Sequence, residues 1–458
     1  MKRLLLVSLF LVAACTRQNK EFCCTSAEDC ASVGVDDDRR ECGEGLACVD
    51  HQCNPALCAT EGCTVQAPTC DVMRDVCSAC STSTECARFP SATVCDPATG
   101  GCVECVSAAD CSSAMPVCDA QACRGCRLDS ECASLACGED GACVAEQQAV
   151  YLSTTGNDAP PCSRAQPCRD PRFATQQTNG NRQHLVFLKG NYDVGSNYTW
   201  SIGTGATTAP SIKIHGGGST ITASTSDGFV TLGIPALVRD LEIVNTAFFA
   251  IRAQTTVTLE RSKVHGGAAG ITSNGSLTLR DSEVRSAGCG IQLNGGSIAI
   301  DGVTITGGAN GVCAVFPTVV DFKNLLVHGT SSTGLDLPQA TGTIAFTTVT
   351  STGSAGTSAT AVRCTFSNLA FTSSIAWTPN LSRPVIDTCT VINSIVGPMP
   401  IVGGTNLDPL FVNSSNADFH LSGGSPARDM ANTGPKTDFE QDPRPRGARF
   451  DLGADEAP

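Results

Sequence analysis

The 458-residue sequence holds only three tyrosines, two tryptophans, six histidines and five methionines, and 16% of its residues are charged. So few tyrosines and tryptophans leave little for an extended stacking platform. Low charge, 45 glycines and 41% apolar residues exclude a disordered acidic tail. No apolar run reaches the ~20 residues that cross a bilayer. No helical periodicity competes with the pattern described below. Cysteine, by contrast, is abundant. Twenty-two of 29 fall between Cys23 and Cys143, six follow, and Cys15 stands apart. Such density excludes a reducing cytosol. Setting Cys15 aside leaves 28, an even number that suits full pairing. The length fits two or three domains.

Met1-Lys2-Arg3 supplies a positive start, and Leu4 to Ala13 is an apolar run broken only by Ser8. That layout predicts a secretory signal. Val12-Ala13-Ala14-Cys15 follows directly and resembles the lipobox of bacterial lipoproteins. The resemblance implies cleavage before Cys15, lipidation of its thiol, and an acyl anchor in the membrane. Thr16, where retained lipoproteins carry Asp, implies sorting to the cell outer membrane. Residues 1–14 are thus read as signal peptide and 15–22 as lipidated linker.

From Cys58 the cysteines form four-membered units: Cys58, Cys63, Cys70, Cys77; Cys80, Cys86, Cys95, Cys102; Cys105, Cys111, Cys118, Cys123; Cys126, Cys132, Cys137, Cys143. Units this short cannot bury a sufficient core, so cross-links must hold them. The C-x2-C steps admit zinc, but the only histidine in this stretch is His51, and disulfides are expected, with no metal. Each unit allows three connectivities. Residues 16 to 149 hold 22 acids against 8 bases, whereas 150 to 458 hold 22 against 20. The acidic part, 23–147, reads as a cysteine-rich repeat stalk and is a poor partner for nucleic acid.

After Tyr151 the texture turns to Gly, Ser, Thr and β-branched residues. Repeats aligned on apolar-x-apolar starts begin at Ala236, Val257, Leu277, Ile298, Val320, Ile344, Leu369 and Cys389. Two residues on lies an apolar column: Val238, Leu259, Leu279, Ile300, Phe322, Phe346, Phe371, Val391. A second strand follows, from Ala250-Ile251 to Pro384-Val385. Charges alternate down the next column as Arg239, Glu260, Arg280, Asp301, Lys323. Asp240, Arg261, Asp281 and Glu242, Lys263, Glu283 alternate in phase with it. Parallel stacking places like positions about 4.8 Å apart and makes each column a ladder of opposite charges. The expected fold is all-β: a right-handed, single-stranded parallel β-helix of about ten rungs over 148–405, some 45–50 Å long.

On these residues the chain resembles the pectin-lyase-like β-helix superfamily, with Tyr151 to Asp158 and Ala165 to Cys168 similar to its entry motif. Asp408-Pro-Leu-Phe411, Ser425-Pro-Ala-Arg-Asp429 and Asp451-Leu-Gly-Ala-Asp-Glu456 resemble the end of choice-of-anchor-type surface β-helices. Residues 406–458 are accordingly expected to cap the last rung.

The resemblance makes polysaccharide cleavage the obvious chemistry, yet the superfamily's Asn-Thr-Asp, Asp-Asp and Gly-His-Gly motifs are missing from the rungs. Glycosidic hydrolysis needs two carboxyls about 5–10 Å apart, whereas Asp240 and Asp281 sit two rungs apart within a charge ladder. The acid cluster that lyases of this fold use is missing too, since Asp301, Asp321 and Asp336 occupy different columns. No Ser-His-acid or Cys-His arrangement stands out, so no catalytic residue and no cofactor are assigned. His265, Arg285 and His328 share a column that reads either as solvated turn residues or as a glycan-contacting strip. Arg252, Gln292, Asp336 and Arg363 project from the second strand and are candidates to line a groove. The leading expectation is a non-catalytic surface lipoprotein that presents its β-helix to a polysaccharide or surface protein. The alternatives are a divergent polysaccharide lyase or glycoside hydrolase, and a bare spacer.

Overall fold

A computed structural model describes residues 46–49, 52–55, 58, 62–71, 76–203, 205–351, 360–378, 385–399 and 401–458. The signal, Cys15 and the linker lie outside the described residues. The chain separates into two compact units, one ending at Cys143 and the other comprising 133–136 and 144–458. No helix among the described residues is long and apolar enough to cross a membrane.

From Cys58 on, the first unit is a run of short antiparallel ladders and single 3-10 turns, each four-cysteine unit locked by two disulfides. Of the three possible connectivities one recurs: first to third and second to fourth cysteine. It appears in Cys58–Cys70 with Cys63–Cys77, Cys80–Cys95 with Cys86–Cys102, Cys105–Cys118 with Cys111–Cys123, and Cys126–Cys137 with Cys132–Cys143. Three sulfurs of each unit lie within 4.8 Å of one another. All are consumed in S–S bonds, which leaves no thiolate for a metal. Burial of Cys80, Cys86, Cys95 and Cys102 shows the cross-links themselves serving as core.

The second unit is a parallel β-helix. Each turn runs through three strands, as in Val257–Glu260, Lys263–Gly266 and Ala269–Ser273. The first two faces often merge into one bent strand, such as Ser276–Ser286. Among the described residues the third face carries nine strands, from Trp200–Ile202 to Ile386–Asp387, so ten turns is an approximate figure. The charge columns stack in the expected register: Arg239 pairs with Glu260, Glu260 with Arg280, Arg280 with Asp301 and Asp301 with Lys323. Arg239 and Arg280 both grip Glu260, at 2.7 and 3.0 Å, and Arg261 grips Asp240 at 2.9 Å.

A left-handed residue makes the bend between the first two faces in turn after turn. Asp240, Arg261, Asp281, Gly302, Asn324, Phe346, Ser373 and Asn393 all have φ between 44° and 67°. Asp, Asn and Gly tolerate this conformation best, which explains their share of the column. The bend interrupts the ladder, and a buried hydroxyl repairs it. Ser282 Oγ accepts the Ser262 N–H at 3.1 Å, Ser374 Oγ that of Thr347 at 3.0 Å, and Ser394 Oγ that of Ser374 at 3.1 Å.

Two alignments need correction. The rung after Val320 starts at Gly342, not Ile344, so Ile344 fills the inward column between Phe322 and Phe371. A Cβ on Gly342 would lie 1.9 Å from the Val320 carbonyl oxygen, and the glycine this demands hides the rung start from an apolar pattern. Phe346 sits instead at the left-handed corner, against Phe450. The last second-strand pair is Val385-Ile386, because Val362 pairs with Ile386.

The C-terminal segment does not simply close the last turn. It runs back along the flank of the second face as a strap. Thr437 O accepts from Asn324 at 3.0 Å, Ala454 N donates to Thr348 Oγ1 at 2.9 Å, and Gly453 N donates to Ser373 O at 3.0 Å. The outward column beneath it explains the docking. Glu242, Lys263, Glu283 and Thr304 give way to Leu326, Thr348, Ile375 and Ile395. Leu326 packs with Phe419 and Ala454, and Ile375 and Ile395 with Leu421 and Leu452. Inside the strap, Asp438, Asp451, Asp455 and Glu456 accept backbone N–H bonds around a buried Arg444.

Candidate binding face

On the third face, alternate residues of each strand point outward, and parallel pairing stacks them into columns. One column reads Arg252, Thr272, Gln292, Cys313, Asp336, Arg363, Asp387. It contains all four sequence candidates of this strand, but at separate heights. Arg252 and Gln292 are two turns apart, roughly 10 Å, and share one groove. Asp336 and Arg363 pair with each other further along, Arg363 Nε lying 2.7 Å from Asp336 Oδ1.

The groove is about 260 Å³ and is lined by Phe249, Arg252, Gln254, Thr272, Asn274, Gln292 and Asn294. Gln254, Asn274 and Asn294 form a second column, because Asn274 N bonds to Ala253 O and Asn294 N to Ser273 O. Their amides link along the rod: Asn294 Nδ2 donates to Asn274 Oδ1 at 3.0 Å, and Gln292 Nε2 to Asn294 Oδ1 at 3.1 Å. None of the lining side chains is a carboxylate. The one charge, Arg252, rests 5.7 Å over the Phe249 ring and 3.6 Å from Asp227. This amide column is the part sequence inspection missed. Its signal was the repeat of Gln or Asn three residues after each apolar second-strand position, Ile251, Ile271 and Ile291.

Beyond the groove the same corner becomes apolar. Val315 follows Asn294 in the column, its N–H bonding to Leu293 O. Phe316 is 57% exposed, and Phe366, two turns on, is 88% exposed. Exposed aromatics are features to which a ligand adds apolar contact.

The other candidate strip stacks as expected, His265 on Arg285, Arg285 on Thr306 and Thr306 on His328, but its members differ in setting. His265 Nδ1 lies 3.7 Å from Glu242, and Arg285 is held by Glu283. His328 accepts or donates at Thr306 Oγ1 (3.1 Å), and its ring lies tilted against Phe419 of the strap, 5.1 Å between centroids. Burial, with Arg285 second, holds its pKa below the ordinary value. His328 therefore belongs to the strap's packing.

A further cleft of about 340 Å³ brings Arg261, Lys263, Asp281 and Glu283 beside Glu440 and Gln441 of the strap. Burial, with Asp301 next, raises the Asp281 pKa. Most of these groups are already matched: Arg261 with Asp240, Lys263 with Glu283 at 3.9 Å, and Glu440 with His420 at 2.8 Å.

Taken together, fold and face define a parallel β-helix with an uncarboxylated, amide-lined groove. No protein-family model and no curated protein matches the sequence. Among solved structures, the chain is similar to the crystal structure of pectate lyase Pel9A, at 12% identity and a TM-score of 0.42, over 68% of this chain and 96% of that one. A likeness at that distance transfers no activity.

Proposed function

We propose that this chain is an extracytoplasmic lipoprotein, anchored through Cys15 in the outer membrane, whose β-helix binds a glycan along its third face without cleaving it. The composition of the amide groove carries the reading. Amides and hydroxyls both donate and accept, which suits a ligand rich in hydroxyl groups. Hydrolysis by the usual route requires a carboxyl pair, and the groove's lining holds none. Turns stacked about 4.8 Å apart repeat the same contacts along a polymer. Phe316 and Phe366 extend the corner with apolar faces.

The second reading, a divergent polysaccharide lyase or glycoside hydrolase, rests on the Asp281–Glu283–Lys263 cleft. The test is a polysaccharide panel offered to the full chain in detergent, with binding and product formation both followed. Binding without new reducing ends or unsaturated sugars supports the first reading. Turnover that Asp281→Asn abolishes replaces it with the second, and capture of a surface protein with no glycan binding refutes the glycan. Replacing Cys15 with Ala should move the protein from the membrane to the soluble fraction; unchanged retention would refute the anchor.

A further inference from the structure

The first turn of the β-helix carries a cleft of about 500 Å³, separate from the third-face groove, that neither glycan binding nor the fold requires. Its walls include Asp158, Arg169, Asp170, Arg172, Asp193 and Tyr198. Each carboxylate is oriented by the backbone through a single oxygen. Asp158 Oδ1 accepts the N–H groups of Arg169 and Asp170 at 2.9 and 2.8 Å. Asp193 Oδ1 accepts that of Gly195 at 2.9 Å. Asp170 Oδ1 accepts the Arg172 N–H at 2.7 Å and the Tyr198 hydroxyl. The second oxygen of each accepts no hydrogen bond among the described residues.

One of the two cations is oriented in the same manner. Arg172 lies 3.8 Å over the Tyr198 ring, with its Nε 3.9 Å from Asp170, which fixes its plane and leaves outward donors open. The Arg169 side chain has no hydrogen-bond or ion-pair partner among the described residues. Groups of both signs are thus held in place with unused valences around one concavity large enough for a small molecule. Three carboxylates disfavour a purely anionic ligand, and two guanidiniums disfavour a purely cationic one.

We propose that this cleft binds a small zwitterion of the free amino-acid or short-peptide class. The ligand carboxylate bonds to Arg169 and Arg172, and its ammonium to the open oxygens of Asp158 and Asp193. Tyr198 acts as a positioning residue, holding Arg172 flat.

The test is calorimetric titration of the full chain in detergent with alanyl-alanine, its N-acetyl form and its C-amide. A charge-assisted hydrogen bond contributes ~1.5–3 kcal/mol, so blocking either end should weaken binding roughly tenfold to hundredfold. Arg169→Ala should narrow the preference for the free dipeptide over its amide, leaving the share that Arg172 holds, whereas Asp193→Asn should narrow that for the free over the acetylated form. Both residues lie on the surface, so neither change endangers the fold. Failure of the free dipeptide to bind overturns the proposal, as does equal binding of all three forms by the parent chain. Preferential binding of a neutral oligosaccharide in this cleft, lost in Arg169→Ala, overturns it in favour of a second glycan site.

Discussion

Glu260 offers a sharp test of register. Its carboxylate sits between Arg239 one turn before (2.7 Å) and Arg280 one turn after (3.0 Å). Arg239 and Glu260 are only 12% and 15% exposed, whereas Arg280 is 56% exposed. Glu260→Gln keeps the shape and removes the charge. The sheltered Arg239 bond should cost about 1.5–3 kcal/mol and the exposed Arg280 bond a few tenths, or about 2–3 kcal/mol together. Because a solenoid's stability is a sum over neighbouring turns, the loss should concentrate in amide exchange across residues 236–286. Burial pushes the Glu260 pKa up, but the Arg239 and Arg280 guanidiniums outweigh it and leave it below the ordinary value. The sign follows: its contribution is present above the unfolded carboxylate pKa and is lost as pH falls through the lower folded value. A double-mutant cycle should give about 1–2 kcal/mol of coupling with Arg239 and under about 0.5 with Arg280. Coupling near zero with Arg239, or uniform exchange along the whole rod, would refute the stacking.

Phe419 is 6% exposed and packs edge-on to Phe411 at 5.4 Å and against His328, so Phe419→Ala should cost about 3–5 kcal/mol of strap docking, seen as faster proteolysis of residues 406–458. His420 bridges Glu440 and Asp418; the Glu440 carboxylate above all, then Asp418, outweighs the cost of burial and raises its pKa to about 9. Its stabilisation is complete below the unfolded histidine value and lost as pH rises through about 9; protease resistance of the strap should fall there, and His420→Gln should abolish that step. Asp455 works in the same direction at lower pH: burial lifts its pKa to about 6, so its favourable share is lost between the unfolded value and about 6. Cys86→Ala with Cys102→Ala should cost about 2–5 kcal/mol in thermal unfolding of the first unit. Asn294→Ala should weaken glycan binding about tenfold in titrations while leaving the melting temperature unchanged.

The rod was legible because stacking writes itself into sequence. A column such as Arg239, Glu260, Arg280, Asp301, Lys323 has no reason to alternate unless its members touch. The alignment slipped where a side chain was missing from the pattern. Gly342 has no Cβ to mark the rung, and Ile344-Ala-Phe346 repeats the same apolar-x-apolar spacing two residues late. Disulfide pairing was illegible because four evenly spaced cysteines are symmetric in spacing and differ only in geometry. The strap's docking had a visible signal, the change from Glu283 and Thr304 to Leu326 and Ile375 on an outward column, but reading it requires the second-face register across two irregular rungs. On the binding face, Arg252 and Gln292 stood out as charged or polar outliers. Gln254, Asn274 and Asn294 did not, because amides at strand ends look like ordinary turn residues. The entry cleft draws on loops whose mutual approach no periodicity encodes.

Glycan binding without turnover is tested most directly by titrating the full chain in detergent with soluble neutral and acidic polysaccharides while monitoring reducing ends and unsaturated products. Saturable binding to at least one polymer is expected, weakened about tenfold by Asn294→Ala, with no product accumulating. Product formation would contradict it, and so would binding that survives Asn294→Ala and Gln292→Ala together.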